Sequence, residues 1–117
     1  MTDRVRLNPS YPHVGKYYPV YAVNDAGKIV GTVYVYIIGT EDQGRYYAYI
    51  DDLKVDEAMR GQGISRQLME RAHEIAKLEK CYKVIANSHR KRKAARALYA
   101  SLGYVPHGRE FRLDLPD

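Results

Sequence analysis

Four residues, Arg60-Gly61-Gln62-Gly63, separate two stretches whose apolar residues repeat with different periods. Upstream, β-branched and aromatic residues alternate with polar ones, as in strands. Downstream, Ile64, Leu68, Ala72, Ile75 and Ala76 recur at helical spacing, with Arg66, Glu70, Arg71, Glu74 and Lys77 on the other faces, so a helix begins at Ile64. A strand that runs through a two-glycine turn into an amphipathic helix must pack that helix back on its own sheet, and the next strand then returns parallel to the first. Tyr82–Ala86 is the returning strand, parallel to Arg45–Val55.

The remaining elements follow from turn residues and alternation. Residues 1–16 hold Pro9, Pro12 and Gly15 without sustained periodicity and read as an irregular arm. Tyr17–Val23 and Lys28–Ile38 form a hairpin around Asn24-Asp25-Ala26-Gly27, and the polar, glycine-bounded stretch Gly39–Gly44 leads into Arg45–Val55. Within that third strand Ile50 and Leu53 both look core-facing at an odd spacing, and a bulge at Asp51-Asp52 restores the register. Lys93–Leu102 is a second helix, with Ala95, Leu98, Tyr99 and Leu102 on its apolar side and Gly103 as its stop. Phe111, Leu113 and Leu115 alternate with Arg112 and Asp114 and predict a last strand. The order β-β-β-α-β-α-β defines an α+β fold, a mixed sheet with helices packed on it, in one domain over residues 1–117.

Composition narrows the function classes. A chain of 117 residues with one cysteine, Cys81, has no intramolecular disulfide framework and no zinc-type Cys/His spacing, which points to a reducing cytoplasm and predicts no bound metal. No apolar run approaches a membrane span, and Met1–Gly15 lacks the apolar core of a signal peptide. Nineteen Lys+Arg against fourteen Asp+Glu give a formal net charge of +5, which suggests an anionic partner. Twelve tyrosines accompany one Phe and no Trp, so nearly every aromatic packing position carries a hydroxyl that needs water or a partner.

The glycine turn suits an anion. Two glycines allow tight curvature, and the helix that starts there presents unpaired N–H groups and the positive end of its dipole. A dinucleotide fingerprint would need a third glycine where Arg66 stands, and the Gly-Lys-Ser/Thr of a Walker loop is absent.

The stretch Leu53–Ser65 resembles the strand, turn and helix signature of the GNAT superfamily of acyl-CoA N-acyltransferases: Arg60 and Gly63 match its pyrophosphate loop, while Ser65 departs from the usual Gly or Ala. Ala95-Arg96-Ala97-Leu98-Tyr99-Ala100-Ser101-Leu102-Gly103-Tyr104 resembles the same family's carboxy-terminal pattern, and the likeness extends over roughly Tyr17–Leu115. It implies an N-acetyltransferase that moves an acetyl group from acetyl-CoA to a primary amine directly, within a ternary complex. The pantetheine arm is then expected on Leu53 and Val55, and the pyrophosphate on Arg60, Gly61, Gln62, Gly63, Ile64, Ser65 and Arg66, mainly through main-chain donors.

By the same resemblance Tyr99 is the general acid for the leaving thiolate, a role that suits a phenol, which is protonated at neutral pH. Ser88 and Arg92 resemble a Ser-x-x-x-Arg cofactor contact, and Arg90, Lys91, Lys93 and Arg96 either meet the 3′-phosphate or form a solvated basic face. Asp51 and Asp52 are the candidates to take the amine's proton or to attract a cationic acceptor. These acids, Cys81-Tyr82-Lys83 and the glycine turn also resemble the glucosamine-6-phosphate N-acetyltransferase branch, a combination other branches share. Cys81 has no neighbouring His or acid at nucleophile spacing, and His73 and His107 read as surface or boundary residues.

Family members usually begin with another strand and one or two helices that wall the acceptor site, whereas about sixteen irregular residues precede the first strand here. The acceptor side is thus expected to be open to a peptide or protein amine, or completed by a second subunit; a homodimer through tyrosine-rich strands such as Val33–Ile38 is the favoured expectation. The rival class is a non-catalytic module that binds acyl-CoA, or binds nucleic acid through residues 89–96. Tyr99 at its motif position favours the enzyme.

Overall fold

The computed structural model describes residues 5–7, 15–40, 44–87 and 93–116. They fall in two compact units, residues 1–86 and 87–117, taken separately below.

The first unit is a four-stranded mixed sheet in the order β1-β2-β3-β4, with one helix on it. Its strands are β1 (Lys16–Val23), β2 (Ile29–Thr40), β3 (Arg45–Val55) and β4 (Cys81–Ala86), and its helix is α1 (Ile64–Leu78). Asn24 closes the first hairpin: its carboxamide oxygen accepts from the N–H groups of Ala26 and Lys28 at 3.0 and 2.9 Å, and Gly27 takes the left-handed conformation at φ +81°. β2 and β3 are antiparallel, and the crossover through α1 brings β4 alongside β3 in parallel, as the sequence predicts.

The core lies between one sheet face and α1. Val33, Val35 and Ile37 of β2 and Ala48 and Ile50 of β3 are buried against Leu68, Met69, Ala72, Ile75 and Ala76 of α1. Burying an aliphatic side chain of this size stabilises by about 1.5–3 kcal/mol. The exposed Arg71–Glu74 pair on α1, at 2.7 Å, belongs to a class worth about 0.2–0.5 kcal/mol, so the apolar stripe holds the helix in place. The far end of α1 is tied to β1, where Glu79 accepts from Tyr18 Oη at 2.5 Å and from Lys16 Nζ at 2.9 Å. These two donors, Tyr18 foremost, hold the Glu79 carboxyl below the usual range.

At its beginning α1 sits close to the sheet because Gly31 has no side chain. A Cβ there would lie 3.1 Å from Leu68 Cδ1, 3.2 Å from the Lys54 carbonyl oxygen and 3.4 Å from Ile64 Cγ2. The spacing that Gly31 permits fixes where the first turn of α1, and the loop before it, stand relative to β3.

β2 is an internal strand, paired with β1 on one side and β3 on the other. Of the two ways expected for Val33–Ile38 to meet a second subunit, pairing and packing, strand pairing is closed, because its backbone groups are already committed to two neighbours. Among the described residues β1 and β4 are the edges, and Pro19 within β1 lacks the N–H that a further strand would need.

The second unit contains α2 (Lys93–Ser101), whose less exposed positions are the expected Ala95, Leu98 and Tyr99, followed by Leu102. The helix ends as the sequence predicts. Gly103 is left-handed at φ +92°, its N–H donates to Ala100 O at 3.1 Å, and the Tyr104 N–H donates to Tyr99 O at 3.0 Å. This is the Schellman arrangement, completed by a Tyr99–Tyr104 ring contact at 5.4 Å. The last expected strand is not formed. Phe111, Leu113 and Leu115 are 92%, 83% and 78% exposed and take part in no sheet pairing. Alternation supplies a face, but a strand exists only where its N–H and C=O groups meet a neighbour's.

Gly31→Ala is expected to destabilise the protein by about 1–3 kcal/mol, since the two closest atoms belong to the buried Leu68 side chain and to the backbone, neither of which yields easily. Denaturant unfolding measures it, and a loss below about 0.5 kcal/mol would contradict this reading of the close approach.

Candidate functional site

The site grows out of an irregularity in β3. Tyr34 pairs with Asp51 and Thr32 with Lys54, so two residues of β3, Asp52 and Leu53, stand opposite the single residue Val33. Asp52 is left-handed at φ +57°, an unusual conformation for a residue other than glycine and one that aspartate tolerates better than most. The extra residue puts Ile50, Leu53 and Val55 on the α1 side of the sheet, with Asp51 and Lys54 on the opposite side. The bulge inferred from the Ile50/Leu53 spacing is therefore present, with its extra residue at Asp52-Leu53.

The same strand loses a neighbour at that point. Among the described residues β3 pairs with β4 from Tyr46↔Cys81 to Ile50↔Ala86, and none of them pairs with Asp51–Val55 on that side. The Asp56 N–H donates to Val30 O in β2 at 2.8 Å, so across that trans peptide the Val55 C=O points away from β2, toward the side that β4 has left. Arg60 Nε donates to that carbonyl at 3.3 Å. Leu53 and Val55, on which the pantetheine arm is expected, belong to this stretch of β3.

Beyond Val55 a single 3₁₀ turn, Glu57–Met59, leads into the glycine loop. Gly61 and Gly63 are left-handed at φ +81° and +79°, and a Cβ at either would meet nothing within 4 Å. Glycine is needed here for its backbone conformation rather than for space. Gly63 caps α1 without a side-chain hydrogen bond, and the first turn carries no acidic residue. The leading N–H groups of α1 therefore face outward beside exposed Gly61, Gln62 and Gly63, with no carboxylate of that turn to offset the helix dipole. Ile64 and Ser65 are half-buried, and Arg60 and Arg66 are exposed.

The two adjacent acids differ in their surroundings. Asp52 Oδ1 is 3.1 Å from Lys54 Nζ. Asp51 is exposed and, among the described residues, has no hydrogen-bond or ion-pair partner. Cys81 is half-buried, and burial, with Glu79 contributing less, pushes its thiol up and away from the thiolate form a nucleophile needs. Tyr99 belongs to the second unit, half-buried on α2 against Tyr104, whose phenol is raised far above its ordinary range chiefly by burial. Ser88 and Arg92, with Arg90 and Lys91, lie outside the described residues. The first unit thus brings Asp51, Asp52, Leu53, Val55 and the Arg60–Arg66 loop together on one strand, turn and helix.

A mixed sheet whose third strand parts from the fourth and feeds a glycine loop at a helix start is the arrangement of a family of acyl-group transferases. The model for the acetyltransferase (GNAT) family matches residues 3–104, and the chain belongs to that family. Glucosamine 6-phosphate N-acetyltransferase of Trypanosoma brucei brucei is 35% identical over 97 residues, which cover 82% of this chain and 64% of that protein. A probable glucosamine 6-phosphate N-acetyltransferase 2 of Oryza sativa subsp. japonica is 38% identical over 65 residues, 56% of this chain and 37% of that protein. The chain thus spans less than two thirds of the length of either curated relative. Among solved structures, an acetyltransferase from Trypanosoma brucei superposes with a TM-score of 0.76 at 33% identity, covering 85% of this chain and 69% of that one.

Gly63→Ala is expected to cost about 1–2 kcal/mol in thermal or denaturant unfolding, because a Cβ at this φ is strained although the space is open. A neutral Gly63→Ala would mean that the loop relaxes to another conformation without loss.

Proposed function

We propose that the protein transfers the acetyl group of acetyl-CoA to the primary amine of a small molecule, directly and without a covalent enzyme intermediate. The observation that carries this reading is the course of β3, which parts from β4 after Ile50 and enters a glycine loop whose helix carries no acid in its first turn. The family membership supports it. An amide-bearing arm can pair with the open side of β3 at Leu53 and Val55, and the pyrophosphate can accept from the main-chain N–H groups of Gly61–Arg66, where the helix dipole favours negative charge. Ser88 and Arg92 are proposed as further cofactor contacts. The names of the curated relatives make an amino sugar phosphate the first acceptor to assay.

In this reading the amine nitrogen attacks the thioester carbonyl carbon, the tetrahedral intermediate collapses, the C–S bond breaks and the sulfur leaves as thiolate. Tyr99 donates its hydroxyl proton to that thiolate and regains one from solvent. The proton that the amine gives up goes to a carboxylate, and of the two candidates Asp51 suits the role, because Asp52 is paired with Lys54. No metal takes part. A homodimer in the cytoplasm belongs to the same proposal.

Two measurements test it. Acetyl-CoA consumption is assayed with glucosamine 6-phosphate, glucosamine, a polyamine and a peptide amine, with turnover of at least one amine as the expected result. Acetyl-CoA binding by calorimetry with no turnover of any amine would favour a binding module. Tyr99→Phe is expected to lower kcat at least tenfold with the affinity for acetyl-CoA retained, and Asp51→Asn to lower kcat/KM far more than Asp52→Asn. Equal effects of the two Asp variants would remove the distinction drawn from the Lys54 pair.

A further inference from the structure

The sheet face opposite α1 is built of tyrosine. Successive ladder pairs place Tyr17, Tyr36, Tyr49 and Ile85 in one row across all four strands, and Pro19, Tyr34 and Asp51 in the next. Val33, Val35 and Ile37 point into the core, so Tyr34 and Tyr36, which alternate with them, point out the other side. The Tyr17 and Tyr36 ring centroids are 4.9 Å apart with planes 24° from parallel, and those of Tyr17 and Tyr34 are 5.9 Å apart at 23°. Near-parallel rings this close must overlap face to face, and since neighbouring strands are themselves about 4.8 Å apart, the rings stand on edge above the sheet. What they present outward is ring edge and phenolic hydroxyl. Among the described residues no hydrogen bond engages the hydroxyl of Tyr17, Tyr34 or Tyr36, and Tyr17 is 50% exposed.

The charge on this face is equally particular. Asp51 stands directly across from Tyr34, at the place where β4 has ended. Its carboxylate is the unpaired charge of the two rows, and the next row brings Lys54, already paired with Asp52. A ligand that matches is largely uncharged and rich in hydroxyls, which both donate to and accept from phenols, and carries one ammonium group for one carboxylate. A polycation fits poorly, because its second ammonium would meet Lys54, and the two rows hold no acid besides Asp51. Asp51 also lies between the tyrosine rows and the open side of β3, so an amine held there would stand beside the strand assigned to the cofactor arm.

We infer that the face formed by Tyr17, Tyr34 and Tyr36 is the acceptor-selecting surface, and that it binds a hydroxyl-rich ring amine of the hexosamine type with its amine on Asp51. This rests on the acetyltransferase reading above and assigns that reading's acceptor a surface. The hydroxyls act as specificity determinants through hydrogen bonds to the ring's own hydroxyls, each worth a few-fold in affinity.

The test pairs glucosamine with propylamine, an amine without hydroxyls, and compares wild type with the Tyr34→Phe/Tyr36→Phe double variant, which keeps the ring stack. Binding is read by saturation-transfer NMR, which needs no turnover, and KM by acetyl-CoA consumption. The expected result is a five- to tenfold weaker interaction with glucosamine in the double variant, a change below twofold for propylamine, and unaltered binding of acetyl-CoA. Asp51→Asn is expected to weaken both amines. Glucosamine binding that the double variant leaves unchanged, equal losses for both amines, or no glucosamine binding to wild type would overturn the inference. Failure of the acetyltransferase reading is seen separately, as no acetyl-CoA consumption with any amine by wild type.

Discussion

One extra residue in β3 underlies the site. With Asp52 in left-handed backbone and two residues set against Val33, the strand keeps Ile50, Leu53 and Val55 on the α1 side and turns Asp51 to the other. A regular strand cannot do both, because its alternation would send either Ile50 or Leu53 to the wrong face. The bulge also falls just past the last pair with β4, so among the described residues β3 has no parallel neighbour just before the glycine loop. A carboxylate, the side of β3 away from β2 and a helix start thus follow one another along a single strand, turn and helix.

What holds that arrangement is apolar packing rather than charge. The buried stripe of α1 lies on β2 and β3, and Gly31 lets the helix start approach closely, so the positive end of its dipole is fixed relative to the open side of β3. Strain at Asp52 is sustained by the core on either side. At its other end α1 is fastened by Tyr18 and Lys16 to Glu79, away from the loop. The loop residues themselves carry little of the stability, which leaves them suited to a ligand.

Much of this was legible in the sequence. The hairpins, the parallel return of β4, the bulge and the glycine stop of α2 each had a local signature: turn residues, a change of period, an odd spacing, Gly103. Met69 was missed because the buried face of α1 is wider than the stripe through Ile64, Leu68, Ala72, Ile75 and Ala76. The final strand was overread because alternation at Phe111–Leu115 says nothing about a partner edge, and the same silence left open strand pairing by Val33–Ile38, which two neighbours already occupy. Asp51 and Asp52 could not be told apart in the sequence. Lys54 was visible two residues on, but which acid it meets depends on the backbone at the bulge. Nor could twelve tyrosines reveal that Tyr17, Tyr34 and Tyr36 stand together, since only the register between strands brings them side by side. Tyr99 was singled out by its motif alone, and its position beside Tyr104 follows from the helix stop.

The central claim is that the open side of β3 and the start of α1 receive acetyl-CoA. Amide-resolved NMR of the isotope-labelled protein titrated with acetyl-CoA tests it most directly. The account predicts that the largest saturable shifts fall on Leu53, Val55 and Gly61–Arg66, with those of β1 nearly still. Shifts absent from these amides, or confined to the basic residues of α2, would contradict it.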